Sequence, residues 1–349
     1  MGKIIFIFPK MASFIRLDIE ILKERYEVVE NSYPWQKKHL MPIILIRQFF
    51  FLLKNLRKTE HVIISFGGWW AWLPTLMAKW HKKPSYIIIH GTDAAGFPEI
   101  KYGNMRKPLL RTILRKSYRR ASYLLPVSES LIYTENTYYE KGRIIKQGIE
   151  HFFPKNKTPK IVIPNAIDTE KWQNLNKERK PNQFITVLSP GQFVRKGGEI
   201  ILNIAPSLPQ YDFTFIGIEK PAHLNKIPEN VRFIGRTQPE SLLEIYSEAT
   251  YYLQLSIFEG FGVALCEAMA CGCIPIVANT NAMPYIIGDS GYVVQHRDEK
   301  ELIELILTAT FEKKTELGKK ARQRIVDDFT VENRKNLLFD TLEKGEVKQ

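Results

Sequence analysis

Short apolar runs alternate with longer helical patterns along the whole chain, and this alternation limits the possible folds more than any other feature. In the first half the strand-like runs are KIIFIF, YEVVEN, HVIISF, SYIIIH and SYLLPVS. The second half shows the same alternation, with the strand-like runs FITVLSP, DFTFIGI, VRFIGR, YYLQLS and IPIVAN. Strands that alternate with helices in this way are typical of parallel sheets covered by helices. The sequence therefore predicts an α/β protein with two Rossmann-like halves.

The length of 349 residues also indicates two domains, because single hydrophobic cores stop growing below this size. The polar stretch of residues 168–183, rich in lysine and asparagine, is predicted as the linker. It would separate a first domain, residues 1–167, from a second, residues 184–329, and a C-terminal helix at residues 330–349 is expected to pack back on the first domain. Two such domains facing a cleft would bind ligands beyond the carboxyl ends of their strands.

The cysteines and the N-terminus favour a protein that stays in the cytoplasm. Cys266, Cys271 and Cys273 crowd one segment and are too few for a disulfide framework, which fits a reducing compartment. The first residues run straight into the strand-like IIFIF without a small-residue cleavage site, so no signal peptide is predicted. The longest apolar run, residues 41–53, is interrupted by Arg47 and is expected to be too short to span a bilayer.

The excess positive charge lies entirely in the first half. Residues 1–165 carry 28 Lys and Arg against 12 Asp and Glu, a net charge of +16, whereas residues 166–349 carry 22 against 25, a net charge of −3. A surface this basic attracts nucleic acid, anionic lipid or a phosphorylated small molecule. All three classes of partner stay open at this point.

One apolar segment, IFEGFGVALCEAMACG at residues 257–272, keeps two glutamates eight residues apart. Glu259 follows the strand YYLQLS and falls in the loop at its carboxyl end. From Val263 the pattern predicts a buried helix that ends before Gly272, a residue suited to the position after a helix C-terminus. Glu267 then lies just over one turn into the helix, among Cys, Ala and Met, which is unusual for a solvated face. The alternative, a capping Glu259 and a surface Glu267, is less favoured.

This arrangement suits a ligand built as nucleoside, diphosphate and sugar. The glycines of Gly260-Phe261-Gly262 let the backbone turn and approach a ligand closely. The free N–H groups at the start of the helix attract a phosphate. Glu267 can accept hydrogen bonds from two ribose hydroxyls, and Glu259 can do the same for a second sugar.

The motif EGFGVALCEAMACG resembles the E-x7-E signature of the retaining GT-B-fold glycosyltransferases of family four. The similarity extends to VRFIGRTQPESLLEIYSEATYYLQLS, to VIPNAIDTEKW and, more loosely, to SFIRLDIEIL and IIIHGTD. The resemblance implies a GT-B fold and transfer from a nucleotide sugar with retention of anomeric configuration. It assigns Glu259 to the donor sugar and Glu267 to the ribose, with Gly260, Phe261, Gly262 and Val263 beside the donor. One departure is Ala166, where the family usually has glycine.

The segment LSPGQFVRKGGE, residues 188–199, is predicted as a strand, a glycine loop at Gly191 and a helix, a layout suited to a diphosphate. Arg195 and Lys196 could neutralise the charge of the departing nucleotide. The similar family usually has an arginine directly after the loop glycine, where this chain has Gln192. Lys196 is therefore the firmer assignment, and Arg195 is a candidate to replace the missing arginine. A solvated loop with two incidental cations is the alternative.

His90 follows the strand SYIIIH, where a histidine can bind a sugar hydroxyl or polarise a leaving oxygen. A lone histidine is as often structural, but the similar family places one there against the donor sugar, which favours a catalytic role beside Glu259 and Lys196. No D-x-D triplet occurs and the histidines are scattered, so a metal-independent reaction without a cofactor is expected.

The segment KKHLMPIILIRQFFFLLKNLRK, residues 37–58, is predicted as an amphipathic helix on the first domain. Its expected core stripe is Leu45, Ile46, Phe49, Leu52, Leu53 and Leu56. Its expected outer face is Arg47, Gln48, Lys54, Asn55 and Lys58, together with Ile44 and Phe51. A cationic face that carries two large apolar residues suits an anionic membrane surface, although an ordinary packed helix with solvated charges is the alternative.

Further basic and aromatic residues of the first half are weaker candidates for acceptor or membrane contact. Arg111, Arg115 and Arg119 recur at helical spacing. Trp69 and Trp70 follow a strand, where aromatic faces stack on sugar rings or pack in a core. Ser13 begins the first helical stretch and belongs to the same group.

The sequence as a whole is interpreted as a retaining hexosyltransferase on the inner face of the plasma membrane. Its partners would be a nucleotide-sugar donor, a lipid-linked or oligosaccharide acceptor and anionic lipid, as in the synthesis of bacterial polysaccharide or lipopolysaccharide. A nucleotide-sugar epimerase of similar two-domain fold is one alternative. A basic nucleic-acid-binding protein is another, but no nucleic-acid-binding motif supports it, so no nucleic acid is expected as a partner.

Overall fold

The computed structural model describes residues 1–222, 224–309 and 314–347. The chain forms two compact units. The first contains Met1–Thr134, Lys146–Asn165 and the C-terminal residues from Glu332, and the second contains Glu135–Ile145 and Ala166–Val331.

The first unit is a parallel sheet with helices between its strands. Its strands are β1 (Gly2–Ile7), β2 (Tyr26–Asn31), β3 (His61–Ser65), β4 (Ser85–Ile89) and β5 (Tyr123–Pro126), in the order β2-β1-β3-β4-β5. All neighbouring strands are parallel. The helices are α1 (Ser13–Lys23), α2 (Met41–Asn55), α3 (Trp69–Trp80), α4 (Pro108–Arg120) and α5 (Ile149–Phe152). Two short strands, β6 (Thr134–Asn136) and β7 (Ile145–Gln147), lie outside this sheet.

The second unit repeats the plan with six strands. They are β8 (Lys180–Val187), β9 (Asp212–Ile216), β10 (Val231–Ile234), β11 (Ala249–Gln254), β12 (Ile274–Ala278) and β13 (Tyr292–Val294), in the order β10-β9-β8-β11-β12-β13. All neighbouring strands are again parallel. The helices are α6 (Gly198–Ile204), α7 (Pro239–Glu248), α8 (Val263–Ala270), α9 (Met283–Ile287), α10 (Glu299–Ala309) and α11 (Lys314–Asp328).

The strand order of the second unit fixes where a ligand would bind. The chain builds outwards in one direction from β8 to β10 and in the other direction from β11 to β13, so the order reverses between β8 and β11. Ligands of open parallel sheets bind at such a reversal, beyond the carboxyl ends of the strands. The loops that follow β8 and β11 are therefore the ones expected to carry the site.

The two units differ from the predicted domains, which were expected to meet at a single boundary near residue 167. Residues 135–145 belong to the second unit, and Tyr138, which is fully buried, is part of its hydrophobic core. Residues 168–183 also belong to this unit rather than forming a separate linker, and β8 already begins at Lys180. The last helix, α12 (Val331–Val347), lies largely in the first unit.

The burial of α2 differs in part from the expected one, although Leu52 and Leu56 are buried as predicted. Its buried stripe is Ile44, Gln48, Leu52 and Leu56, whereas the predicted core residues Ile46, Phe49 and Leu53 are exposed. Phe51, predicted to face outwards, is half-buried. Gln48 is the reason for this orientation, because its amide donates to the Asn31 side chain at 3.3 Å and to the Trp70 carbonyl at 3.2 Å.

The expectation that no segment is long enough to span a membrane is also wrong. Helical turns on both sides of α2 extend it to Lys38–Lys58, 21 residues, of which the most apolar 18-residue stretch has a mean hydropathy of 1.3. This length and composition suffice to cross a bilayer, although 22% of the most apolar stretch is buried against the rest of the protein.

A buried ion pair attaches α12 to the first unit. The Asp18 carboxylate accepts from Arg334 Nε at 2.5 Å and Nη2 at 2.8 Å, and Arg334 Nη1 donates to the carbonyls of Ile163 and Pro164. Both side chains are almost completely shielded from water. Removing one partner would leave an uncompensated buried charge.

We therefore expect Asp18→Ala to lower the free energy of unfolding by about 3–5 kcal/mol, measured by urea denaturation. Lys335→Gln is the control, because Lys335 pairs with Glu24 and Glu332 at the surface and its loss should cost less than about 1 kcal/mol. Equal effects of the two substitutions would contradict the role assigned to the buried pair.

Candidate active site

His90 directly follows β4, at the carboxyl end of that strand in the first sheet. Its Nε2 lies 3.0 Å from the Ser65 hydroxyl, and its ring packs against Phe14 and Phe66 with centroid separations of 4.7 and 4.3 Å. Nδ1 is buried without a hydrogen-bond partner among the described residues. Burial, with a smaller contribution from the charge of Arg334, holds the pKa of His90 well below its ordinary value. The ring is therefore neutral at pH 7, and its Nδ1 can form one further hydrogen bond.

Asp93 fixes the loop that carries His90. Its carboxylate accepts N–H bonds from His90 and Gly91 at 3.1 and 2.9 Å and from Gly67 at 2.7 Å, so it joins the loops after β3 and β4. Burial raises the pKa of Asp93 to about 6, against the opposing effect of these N–H groups. Asp93 is not among the residues predicted from the sequence, although an aspartate three positions after a candidate histidine was a usable signal.

In the second unit, the loop after β8 presents Arg195 and Lys196, and the loop after β11 presents Glu259. Arg195 Nη1 donates to Glu259 Oε2 at 3.3 Å, and Lys196 Nζ lies 3.6 Å from the same oxygen. All three side chains are at least four-fifths shielded from water. The predicted site residues from two separate segments thus meet at the strand-order reversal.

Neutral side chains hold this cluster in place. Gln254 Nε2 donates to Glu259 Oε2 at 3.3 Å, and the Asn281 amide oxygen accepts the backbone N–H of Glu259 at 3.2 Å. Arg195 Nη1 also donates to the Phe258 carbonyl at 2.6 Å, and its own carbonyl accepts from the N–H of Ile257. Sequence spacing gave no signal for Gln254 or Asn281, because each acts only through the folded loop.

The charged groups in the cluster shift one another's pKa values. Burial by itself raises the pKa of Glu259, but the charges of Lys196 and Arg195 outweigh it and hold that pKa below its ordinary value. Burial lowers the pKa of Lys196, although Glu259 opposes the shift. Glu259 is therefore ionised at neutral pH. It does not cap α8, because that helix begins directly after Gly262.

Glu267 lies in α8, and its environment differs from that of Glu259. Its carboxyl group makes no hydrogen bond or ion pair to the residues that the structure describes, and neighbouring Leu265, Cys266 and Met269 are fully buried. Burial raises the pKa of Glu267 from 4.5 to about 8, with Lys171 and Lys196 acting in the opposite direction. The group is an unpaired hydrogen-bonding side chain close to the Glu259 cluster.

The remaining donor-site candidates surround these two acids. Gly191 lies at the tip of the loop after β8 with a φ of 78°, and the Gln192 side chain closes that loop by accepting the N–H of Ser189. Gly260 and Phe261 are buried, and Gly262, with a φ of 93°, leads into α8 at Val263. Arg195, rather than residue 192, contacts Glu259.

Residues 170–324 match the family described as Glycosyl transferases group 1. This match contains Arg195, Lys196 and both glutamates. This part of the chain matches the group 1 glycosyltransferases. The expected family is thereby confirmed.

Curated relatives are other glycosyltransferases. The chain is 34% identical to O-antigen chain mannosyltransferase B of Escherichia coli over 68 residues, 20% of this chain and 18% of that one. It is 24% identical, over 78% of its length and 74% of the relative's, to N,N'-diacetylbacillosaminyl-diphospho-undecaprenol alpha-1,3-N-acetylgalactosaminyltransferase of Campylobacter jejuni. For several relatives, the E. coli enzyme among them, the chain covers half of their length or less.

Solved structures confirm the predicted GT-B fold with two Rossmann-like domains. Sucrose-phosphate synthase from Thermosynechococcus elongatus superposes over the whole of both chains with a TM-score of 0.75 at 14% identity. An Anabaena protein in complex with UDP and glucose superposes over 98% of this chain and 100% of its own, with a TM-score of 0.69 at 14% identity.

The weaker candidates of this glycosyltransferase lie in its first unit. Ser13 is exposed at the start of α1, and Trp69 is half-buried at the start of α3. The indole N–H of Trp70 donates to the carbonyls of Ser65 and Phe66, and its ring packs 6.1 Å from Trp35, so Trp70 serves the packing of this unit. On α4, Arg115 and Arg119 are exposed and Arg111 is half-buried, and the Arg115 guanidinium lies 5.8 Å from the centre of the Phe153 ring.

The raised pKa of Glu267 predicts a pH dependence of stability. The folded protein holds a proton on Glu267 up to about pH 8, whereas the unfolded chain releases it near 4.5. The stabilising contribution of Glu267 is fully present below its pKa in the unfolded chain. It is lost as the pH rises through its pKa in the folded protein. Wild type should therefore lose stability between pH 5 and pH 8 relative to Glu267→Gln in urea denaturation. Glu304→Gln, at an exposed position, should follow wild type. Parallel profiles of wild type and Glu267→Gln would contradict the assignment.

Proposed function

We propose that the chain transfers a hexose from a nucleotide sugar to a lipid-linked or polysaccharide acceptor, with retention of anomeric configuration and without a metal ion. The observation that carries this proposal is the pairing of Glu259 with Arg195 and Lys196 at the strand-order reversal, close to the unpaired Glu267. Two cations face one carboxylate there, so the cluster keeps an excess of positive charge that an anionic diphosphate would neutralise.

The residues of the second unit have complementary roles in donor binding. Lys196 and Arg195 bind the diphosphate, which gains negative charge as the glycosidic bond breaks, so they stabilise the transition state more than the ground state. Glu259, fixed by Gln254, accepts hydrogen bonds from the transferred sugar. Glu267 forms hydrogen bonds with the ribose hydroxyls, since its carboxyl has no partner in the described residues. His90 of the first unit is proposed to contact the donor sugar through its neutral ring.

The relatives support the choice of substrates. The Anabaena neighbour binds UDP and glucose, and the Campylobacter relative acts on a sugar carried by diphospho-undecaprenol. The E. coli relative is a mannosyltransferase of the O-antigen chain. We infer a role in bacterial surface glycan synthesis, with lipopolysaccharide as one such product.

Substitutions of Glu267 and Glu259 should affect nucleotide binding and sugar transfer separately. Glu267→Ala is expected to weaken binding of the bare nucleoside diphosphate about tenfold, because it removes two hydrogen bonds to ribose hydroxyls, each worth roughly 0.5–1.5 kcal/mol. Glu259→Ala should leave that binding within about threefold of wild type and abolish sugar transfer, because its partner is the sugar. Calorimetric titration with UDP and GDP, and a transfer assay in excess EDTA, measure the two effects.

Equal losses of nucleotide affinity in the two variants would contradict the division of roles. Transfer that requires added magnesium or manganese would contradict the metal-free mechanism. Glu304→Ala, on the exposed surface of α10, is the matched control for both assays.

We further propose that the enzyme is cytoplasmic and binds the inner face of the plasma membrane through α2. This helix exposes Ile43, Ile46, Phe49, Phe50 and Leu53, five large apolar residues within eleven positions. Arg47, Lys54, Arg57 and Lys58 are exposed on the same helical segment. Because Gln48 fastens the opposite side to the first unit, the helix is proposed to lie in the lipid interface rather than to cross the bilayer.

Sedimentation with lipid vesicles tests this surface. Wild type should bind vesicles that contain anionic lipid at low salt and bind less as salt rises, because the attraction of about 1 kcal/mol per basic residue is screened. Replacing Arg47, Lys54 and Lys58 by glutamine should reproduce the effect of salt. Ile46→Ser with Phe50→Ser should weaken binding at every salt concentration.

The control is Ile144→Ser, which alters an apolar side chain of similar exposure in the second unit and should bind vesicles like wild type. Failure of wild type to bind anionic vesicles at low salt would contradict the membrane proposal and favour a soluble acceptor.

A further inference from the structure

A second basic cavity lies at the opposite edge of the second sheet from the donor site. Its volume is about 480 Å³, and it is lined at the amino ends of three strands by Pro181, Thr250 and Ile274. The donor cluster is at the carboxyl ends of the same strands. Strands of this length separate the two edges by roughly 15–20 Å, so the cavity is not an extension of the donor site.

Three cationic side chains line the cavity, Arg179, Lys319 and Arg322. No aspartate or glutamate lines it in the part of the chain that the structure describes, whereas the neutral side chains of Asn174, Asn176 and Thr315 do. Positive charge gathered in one concave site without a carboxylate is the arrangement expected for an anionic ligand.

The arginines are held rigidly but keep free donors. Arg322 Nη1 donates to the carbonyls of Trp172 at 3.1 Å and Ala270 at 2.6 Å. Both bonds use Nη1, so the N–H groups of Nε and Nη2 have no acceptor among the described residues. Arg179 donates to the carbonyls of Tyr246, Ala249 and Cys271. A guanidinium fixed in this way loses little further freedom when it binds an anion.

Lys319 differs from its neighbour on α11 in having no protein partner. Lys320 pairs with Asp289 at 3.3 Å, whereas Lys319 makes no hydrogen bond or ion pair with the described residues. An exposed ammonium without a protein partner breaks no existing contact when it turns towards a ligand.

Two glycines keep the wall beside these cations open. A Cβ on Gly272, whose φ is 80°, would lie 2.9 Å from Arg179 Nη2. A Cβ on Gly318 would lie 2.6 Å from the Gly272 carbonyl oxygen, so any larger residue would push α11 away from the end of α8. The close approach of these two segments is what brings the cations of α11 beside Arg179.

We propose that this cavity binds the phosphate group of a small anion. Phosphate suits it because guanidinium groups donate paired N–H bonds to phosphate oxygens and a lysine adds a point charge. The volume leaves room for more than the phosphate alone, since small-molecule sites start at about 300 Å³. Free phosphate and a sugar phosphate share this chemistry, and the site is independent of the proposed transfer reaction.

Isothermal titration of the full chain with inorganic phosphate and with glucose 6-phosphate tests the proposal. Lys319→Gln should weaken binding about tenfold, the loss expected for one charged hydrogen bond. Lys320→Gln, its sequence neighbour, should bind like wild type. Lys196→Ala, which removes a cation of the donor site, should also keep the binding. Tighter binding of glucose 6-phosphate would identify a sugar phosphate, and equal binding would identify free phosphate.

Three results would overturn the proposal. One is the absence of saturable binding of either probe to wild type. Another is the same affinity in Lys319→Gln and Lys320→Gln. The third is binding that disappears in Lys196→Ala and persists in Lys319→Gln, which would place the phosphate in the donor site. None of these outcomes depends on whether sugar transfer is observed.

Discussion

The contact of Glu259 with Arg195 and Lys196 is the constraint on which the rest of the site depends. Charges shielded from water are costly unless they are paired, and a buried acid left alone would take up a proton. Here the two cations keep Glu259 ionised and keep it at one position. Two positive groups contact this one carboxylate, and the proposed diphosphate would add negative charge beside them. The proposed site is thus held in place before a ligand binds.

Sheet topology explains why residues more than sixty positions apart come together. The loops after β8 and β11 are neighbours because those strands are adjacent, and the strand order reverses between them. Helix α8 packs on the sheet with Leu265, Cys266 and Met269 fully buried. Glu267 is carried into this apolar environment on the same helix, and that environment explains why its pKa rises while that of Glu259 falls. Glu259 and Glu267 are only eight residues apart in sequence, but their different surroundings give them different protonation states.

Part of this account could be predicted from the sequence. Alternating apolar runs predicted both parallel sheets, because a strand buried on two faces must be apolar throughout. The spacing of Glu259 and Glu267 predicted one acid in a loop and one in a helix. The orientation of α2 could not be predicted, since apolar residues occur around most of that helix and the deciding contact is made by Gln48. The assignment of residues 135–145 to the second unit escaped prediction for a similar reason, because Tyr138 enters a core built from distant segments.

The central claim is that the second unit holds the nucleotide of the donor between these charged loops. A crystal structure of the protein with bound UDP or GDP tests it most directly. The account predicts ribose hydroxyls within hydrogen-bond distance of the Glu267 carboxyl and diphosphate oxygens within hydrogen-bond distance of Lys196 or Arg195. A nucleotide bound with its ribose away from Glu267, or at any other edge of the second sheet, would contradict it.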